Sequence, residues 1–187
     1  MLNIAKNAPP NELIIDGNVY PINTDYRIWI DVSELLRKSN SENANNTWME
    51  IQKLVFGKEV YCDTMIALDA ITTFLAGYPH YDNGYSGSSR EQEQLYSFLH
   101  DINLIVLAIR NQTGIDIGYN CKHFHWWLFL LEFKSLEEHH EISRIIQMRG
   151  YNGKDEERLK WKRQVALPYE YSEEEKRQAE ELNRLFS

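Results

Sequence analysis

Two cysteines in 187 residues are too few for a disulfide framework, so the chain must hold itself together by burial. Basic residues are the minority, 20 against 28 acidic for a formal charge of -8, and the positive field that draws phosphate backbones is missing. Nucleic acid is therefore excluded as the default partner. Long apolar runs are also lacking: the longest, Trp126 to Leu131, falls far short of the roughly 20 residues that cross a bilayer, and no membrane role is expected. The start "MLNIAKNAPPNELIID" has neither a cationic head nor an unbroken apolar stretch, which points away from a secretory leader and towards a reducing compartment.

Catalytic signatures are absent as well. The sequence contains no Gly-x-Ser-x-Gly elbow, no Gly-x-x-x-x-Gly-Lys phosphate cradle and no dinucleotide fingerprint. Cys62 or Cys121 with a distant histidine would make a dyad, but a structural thiol is the simpler reading. The acidic runs "EEHHE", "DEE" and "SEEE" lie where solvated helix starts ordinarily carry carboxylates. No enzyme and no cofactor is expected.

What the chain does have is helical periodicity. "ELIIDGNVYPI" predicts a small hairpin at about 12–22, with Asp16-Gly17-Asn18 as its turn. Asn23 or Thr24 can cap a following helix whose apolar face is Tyr26, Trp29, Ile30 and Leu36. Thr47 and Glu50 have capping-box spacing ahead of Ile51, Leu54 and Val55, with Trp48 on the same side and Gly57 as the stop. Asp63 can cap a third helix lined by Ile66, Ala70, Thr73 and Phe74 as far as Gly77. Gly77 to Ser89 reads as a glycine-rich loop.

A longer, central helix follows, with Leu95, Phe98, Leu99, Ile102, Ile105, Val106 and Ile109 at helical spacing up to "NQTG". Ile142, Ile145, Ile146 and Arg149 share a later face that Gly150 can close in a left-handed cap. Arg158, Trp161 and Val165 then lie on one side of a helix ended by Pro168. The expected architecture is mainly α: one compact helical domain over 1–168 with a small N-terminal β-hairpin, then a charged C-terminal helix over 169–187. On that last helix Leu182, Leu185 and Phe186 form an apolar stripe, a candidate surface for a partner or for self-association.

Two clusters invite chemistry. Cys121, His123, His125, His139 and His140 supply soft and imidazole ligands of the kind zinc takes. On a helix His123 and His125 would stand about 200° apart, however, whereas helical ligand pairs are spaced i, i+3 or i, i+4. Adjacent His139 and His140 are expected to point apart, and histidines at a helix entrance are favoured over a metal site. Within "KHFHWWLFLLEF", Trp126, Leu130 and Phe133 make one row and Trp127 and Leu131 the next, the pattern of a helix buried on more than one side. Lys160, Lys162 and Arg163 around Trp161 resemble a small nucleic-acid contact, but Asp155, Glu156 and Glu157 dilute its field, favouring a solvated face.

Four segments carry a family resemblance: "DGNVYPINTDYRIWI", "YSFLHDINLIVLAIRNQTGIDI", "HWWLFLLEFKSL" and "KDEERLKWKRQVALP". In this order they make the chain resemble the bacteriophage Gp15 family, encoded in the tail-morphogenesis region of long-tailed phages and prophages of Gram-positive bacteria. The loop from Gly77 to Ser89 and the tail from Ser172 to Ser187 depart from that pattern. The resemblance implies a small, mainly helical, non-enzymatic tail assembly chaperone in the host cytoplasm, with the tape-measure protein as first partner and the tail-tube protein as a second candidate. A structural minor tail or connector subunit is the alternative, and a metal-dependent enzyme at Cys121, His123 and His125 the more distant one.

Overall fold

A computed structural model describes residues 8–77 and 94–168. The glycine-rich loop beyond Gly77 and the C-terminal helix with Leu182, Leu185 and Phe186 lie outside the described residues. Among the described residues the architecture is mainly α, seven helices and one two-stranded antiparallel sheet.

Strands β1 (Glu12–Ile15) and β2 (Asn18–Pro21) form the hairpin. Asp16 (φ 49°) and Gly17 (φ 74°) alone make the turn, the pair of positive φ values that a two-residue connection needs. Asn18, expected in the turn, instead pairs with Ile15. Period-two alternation buries Leu13 and Ile15 and leaves Ile14 facing solvent. The small sheet leans on a helix, since β1 packs against α3 (Thr64–Ala76).

Helix α1 (Tyr26–Lys38) is capped by Asp25, not by Asn23 or Thr24. The reason is competition: Asn23 Oδ1 accepts the Asp25 N–H at 3.1 Å and the Thr24 hydroxyl is engaged by His123, whereas Asp25 Oδ1 accepts the Arg27 N–H at 3.0 Å. Helix α2 (Ala44–Phe56) begins three residues ahead of the expected capping box, because Asn43 takes the cap position and Thr47 lies inside and buried. Gly57 ends it, as expected, and does so in the left-handed conformation.

Asp63 caps α3 as anticipated, accepting the Met65 and Ile66 N–H groups. The inward face differs from the expected one: α3 buries Ala67, Ile71 and Phe74, while Ile66 and Thr73 are exposed. The helix is so evenly apolar that periodicity alone defines no face. Helix α4 (Phe98–Thr113) buries Ile105, Ala108 and Ile109, and Gly114 (φ 75°) closes it. Leu95 precedes this helix and Leu99 is exposed, so neither belongs to its inward face.

Helices α5 (Trp126–Lys134), α6 (Glu141–Arg149) and α7 (Glu156–Gln164) complete the order. Gly150 does not provide the expected left-handed cap. Its φ is -78°, and its N–H and that of Tyr151 turn back onto Ile146 and Met148 carbonyls. Helix α7 buries no residue and ends ahead of Pro168. The core gathers where α1 meets α4 and α5, with α3 alongside: Tyr26 stacks on Phe129 of α5 at 4.7 Å, and Trp29 meets Phe74 of α3 at 4.3 Å. Among the described residues no helix is long and apolar enough to cross a membrane.

Candidate functional site

The histidine segment stands immediately before α5, where it crosses the start of α1. An isolated bridge pairs Asp25 with His125: the Tyr26 N–H donates to the Phe124 carbonyl at 2.9 Å and the Trp126 N–H to the Thr24 carbonyl at 2.7 Å. Two otherwise orphaned helix-start donors are satisfied by this one exchange.

Arg27 braces the same crossing. Its guanidinium grips Asp25 with two bonds of 2.7 Å and also donates to the Cys121 carbonyl at 3.0 Å. Burial works to raise the Asp25 pKa, but the bonds from Arg27 and from the Phe124 N–H outweigh it and hold the carboxyl below its ordinary range. Asp25 is therefore a helix cap, an ion-pair partner and a loop anchor at once.

The histidines are occupied by protein groups. His123 Nε2 lies 2.9 Å from Thr24 Oγ1. His125 Nδ1 accepts the Trp127 N–H at 3.0 Å, so Nε2 carries the proton and donates to the Pro10 carbonyl at 2.9 Å. Burial, opposed by the Pro10 bond and aided by nearby His123, lowers the His125 pKa and favours this neutral ring. Cys121 turns its thiol to the His123 carbonyl.

His139 and His140 lie elsewhere, and the expectation that they point apart is not met: their rings approach to 4.2 Å. Buried His140 reaches Gln112 and exposed His139 reaches Glu137. Among the described residues no group of three or more His, Cys, Asp or Glu side chains is arranged to hold a metal ion.

Trp126 and Trp127 explain why two tryptophans stand together. The Trp126 indole N–H donates to the Leu75 carbonyl at 3.0 Å and that of Trp127 to the Phe74 carbonyl at 2.9 Å. These carbonyls belong to the last turn of α3, where helical partners run out; that of Phe74 also accepts the Gly77 N–H at 3.0 Å. Both indoles are thus buried with their polar ends satisfied.

A second polar strut lies across the molecule. Arg149 bonds Asp101 at 2.6 and 3.0 Å, the Leu95 carbonyl at 3.1 Å and the Val165 carbonyl at 2.6 Å. It ties α6 to the start of α4 and to the end of α7, beneath a groove of about 150 Å³ lined by Gln94, Lys162 and Leu167. The cations of α7 are partly committed to its own neighbourhood: Lys162 donates to the Tyr151 carbonyl and Arg158 lies over the Tyr151 ring.

One surface was not anticipated. Met65 is 75 % exposed and Ile66 43 % exposed on the outward side of α3. The available signal was the composition of "TMIALDAITTFLA", with Asp69 its one charged residue.

The fold and its polar clusters define a class: a mainly helical protein in which buried histidine, arginine and tryptophan groups lock helix ends to one another. Within that class the family is shown directly, because residues 10–186 match the family described as Bacteriophage Gp15 protein. The chain belongs to this family and is a phage-related protein. No curated protein and no solved structure matches it.

Proposed function

We propose that this protein is a tail assembly chaperone of a phage or prophage, binding the tape-measure protein in the host cytoplasm while a long tail is built. Membership of the Gp15 family over nearly the whole chain carries the reading. Its net charge of -8 supports it, since a charged carrier keeps a helical client dispersed. Exposed apolar side chains at helical spacing supply what such a client needs, a surface accepting anchors at i, i+3, i+4 and i+7.

Co-expression with the tape-measure protein tests contact, and deletion of the gene tests the role. The expected outcome is a co-purifying complex and, without the gene, tails absent or of abnormal length. Lack of both results removes the proposal. Persistence of the protein in purified particles would instead make it a structural minor tail or connector component.

A further inference from the structure

We infer that the outward face of α3 is the surface that grips a client, and that the client presents an amphipathic helix with a basic residue beside its apolar stripe. This rests on the chaperone reading and assigns it a site. The contrast with α7 is the starting point. Helix α7 buries nothing and has the composition of a solvated helix, with Glu156, Glu157, Arg158, Lys160, Lys162 and Arg163 among its nine residues. Helix α3 also turns one side to solvent, yet only Asp69 among its thirteen residues is charged.

The inward side is settled by Ala67, Ile71 and Phe74. Met65, Asp69, Thr72 and Ala76 follow at i, i+4, i+7 and i+11 along the outward side, with Ile66 and Thr73 in the adjoining row, all exposed. Threonine and alanine allow another helix to approach closely, and methionine adapts to differing apolar partners. This is a stripe of helix-contacting size in which Asp69 is the one charge, set among the apolar Met65, Ile66 and Ala76 and two threonines.

Charge identifies the occupant. Among the described residues no cation pairs with Asp69, so a lysine or arginine on an incoming helix finds an open carboxylate one turn from exposed Met65. A second copy fits less well: Asp69 adjoins the midpoint of α3, and a two-fold antiparallel crossing would bring the two carboxylates together. A membrane surface fits less well too, because a helix lying on anionic lipid needs lysine or arginine along its polar side, and α3 has none.

The test uses the full chain co-expressed with the tape-measure protein, as wild type, Met65→Glu and Asp69→Lys, with thermal melting and sedimentation measured alongside. Wild type should form the complex, and each variant should weaken it at least about tenfold, as losing one central anchor does, with unchanged melting. Complex formation by wild type and equally by both variants would overturn the α3 assignment and leave the chaperone reading standing. No complex with wild type would remove that reading and the assignment with it. A wild-type dimer dissolved by Met65→Glu, with client binding intact, would overturn the assignment in favour of self-contact.

Discussion

Helices α3 and α5 are alike in composition and opposite in placement. Each has one strongly apolar run with a single acidic residue, Asp69 in one and Glu132 in the other. Helix α5 spends that composition inward, burying Trp126, Trp127, Phe129 and Leu130 in nine residues. Helix α3 buries three of thirteen and turns Met65 and Ile66 outward. Apolar content therefore does not distinguish a core helix from a contact surface; the number of neighbouring elements does. Two indole N–H bonds and the close approach of Gly77 to Leu130 join the two helices, so α5 acts as the rigid support of a helix whose other side is open.

The largest test of this division falls on the supporting side. Trp126→Ala or Trp127→Ala should each cost about 3 to 5 kcal/mol, because a buried aromatic is lost and a terminal carbonyl of α3 loses an indole donor. Denaturant unfolding measures it, and a loss below about 1 kcal/mol in both variants would deny that α5 is core. A smaller effect is expected at the junction. Gly77 has φ +83°, and a Cβ there would stand 2.7 Å from Leu130 Cδ1, so Gly77→Ala should destabilise by about 1 to 3 kcal/mol through backbone strain and overpacking. Adding Leu130→Ala should recover part of the overpacking loss, which a double-mutant cycle reads directly.

How much of this was legible in the sequence follows from the range of each interaction. The Asp16-Gly17 part of the hairpin turn, the Asp63 cap and the glycine stops at Gly57 and Gly114 were readable, because each depends on residues a few positions apart. Where several residues compete, local rules failed. Asn23, Thr24 and Asp25 are all capping types, and the winner was decided by His123 and Arg27, the former 99 positions from Thr24. Thr47 and Glu50 copy a capping box from inside a helix already started at Ala44. The place of the histidines ahead of α5 was legible. Their bonds to Pro10 and Thr24, and the union of Asp101 with Arg149 across 48 positions, were not, since long-range pairing leaves no periodic trace. Of the inward face of α3 only Phe74 was legible, because apolar Met65 and Ile66 on the outward side blur its periodicity.

Acid should act on the supporting helix through His125. Its folded pKa lies below the ordinary histidine value near 6.5, so the neutral ring's contribution to stability is fully present above that value and declines as pH falls through the folded pKa. Protonation would place a hydrogen on Nδ1, where the Trp127 N–H now donates, and remove the cap of α5. His123 is the nearby ionisable group that adds to the depression. His125→Asn keeps a capping oxygen that does not titrate, and melting temperatures followed from pH 7.5 to pH 5 should fall less steeply in the variant than in wild type. Equal slopes would show that His125 stays neutral or that its cap carries no stability.

The smallest expected effect is the sharpest contrast with the tryptophans. Met65→Glu places a charge on a helix as apolar as α5, at a side chain already 75 % exposed. Placed near the start of α3, a carboxylate also meets the favourable end of the helix dipole. Its unfolding free energy should stay within about 0.5 kcal/mol of wild type, whereas Leu130→Glu in α5 should prevent stable folding by burying a charge without a partner. A large loss at Met65 would mean that the outward side of α3 is covered in the folded chain and belongs to the core. Unchanged stability would establish that outward Met65 contributes little to folding, and leave contact with another molecule as the reason for an exposed side with one charge and two large apolar residues.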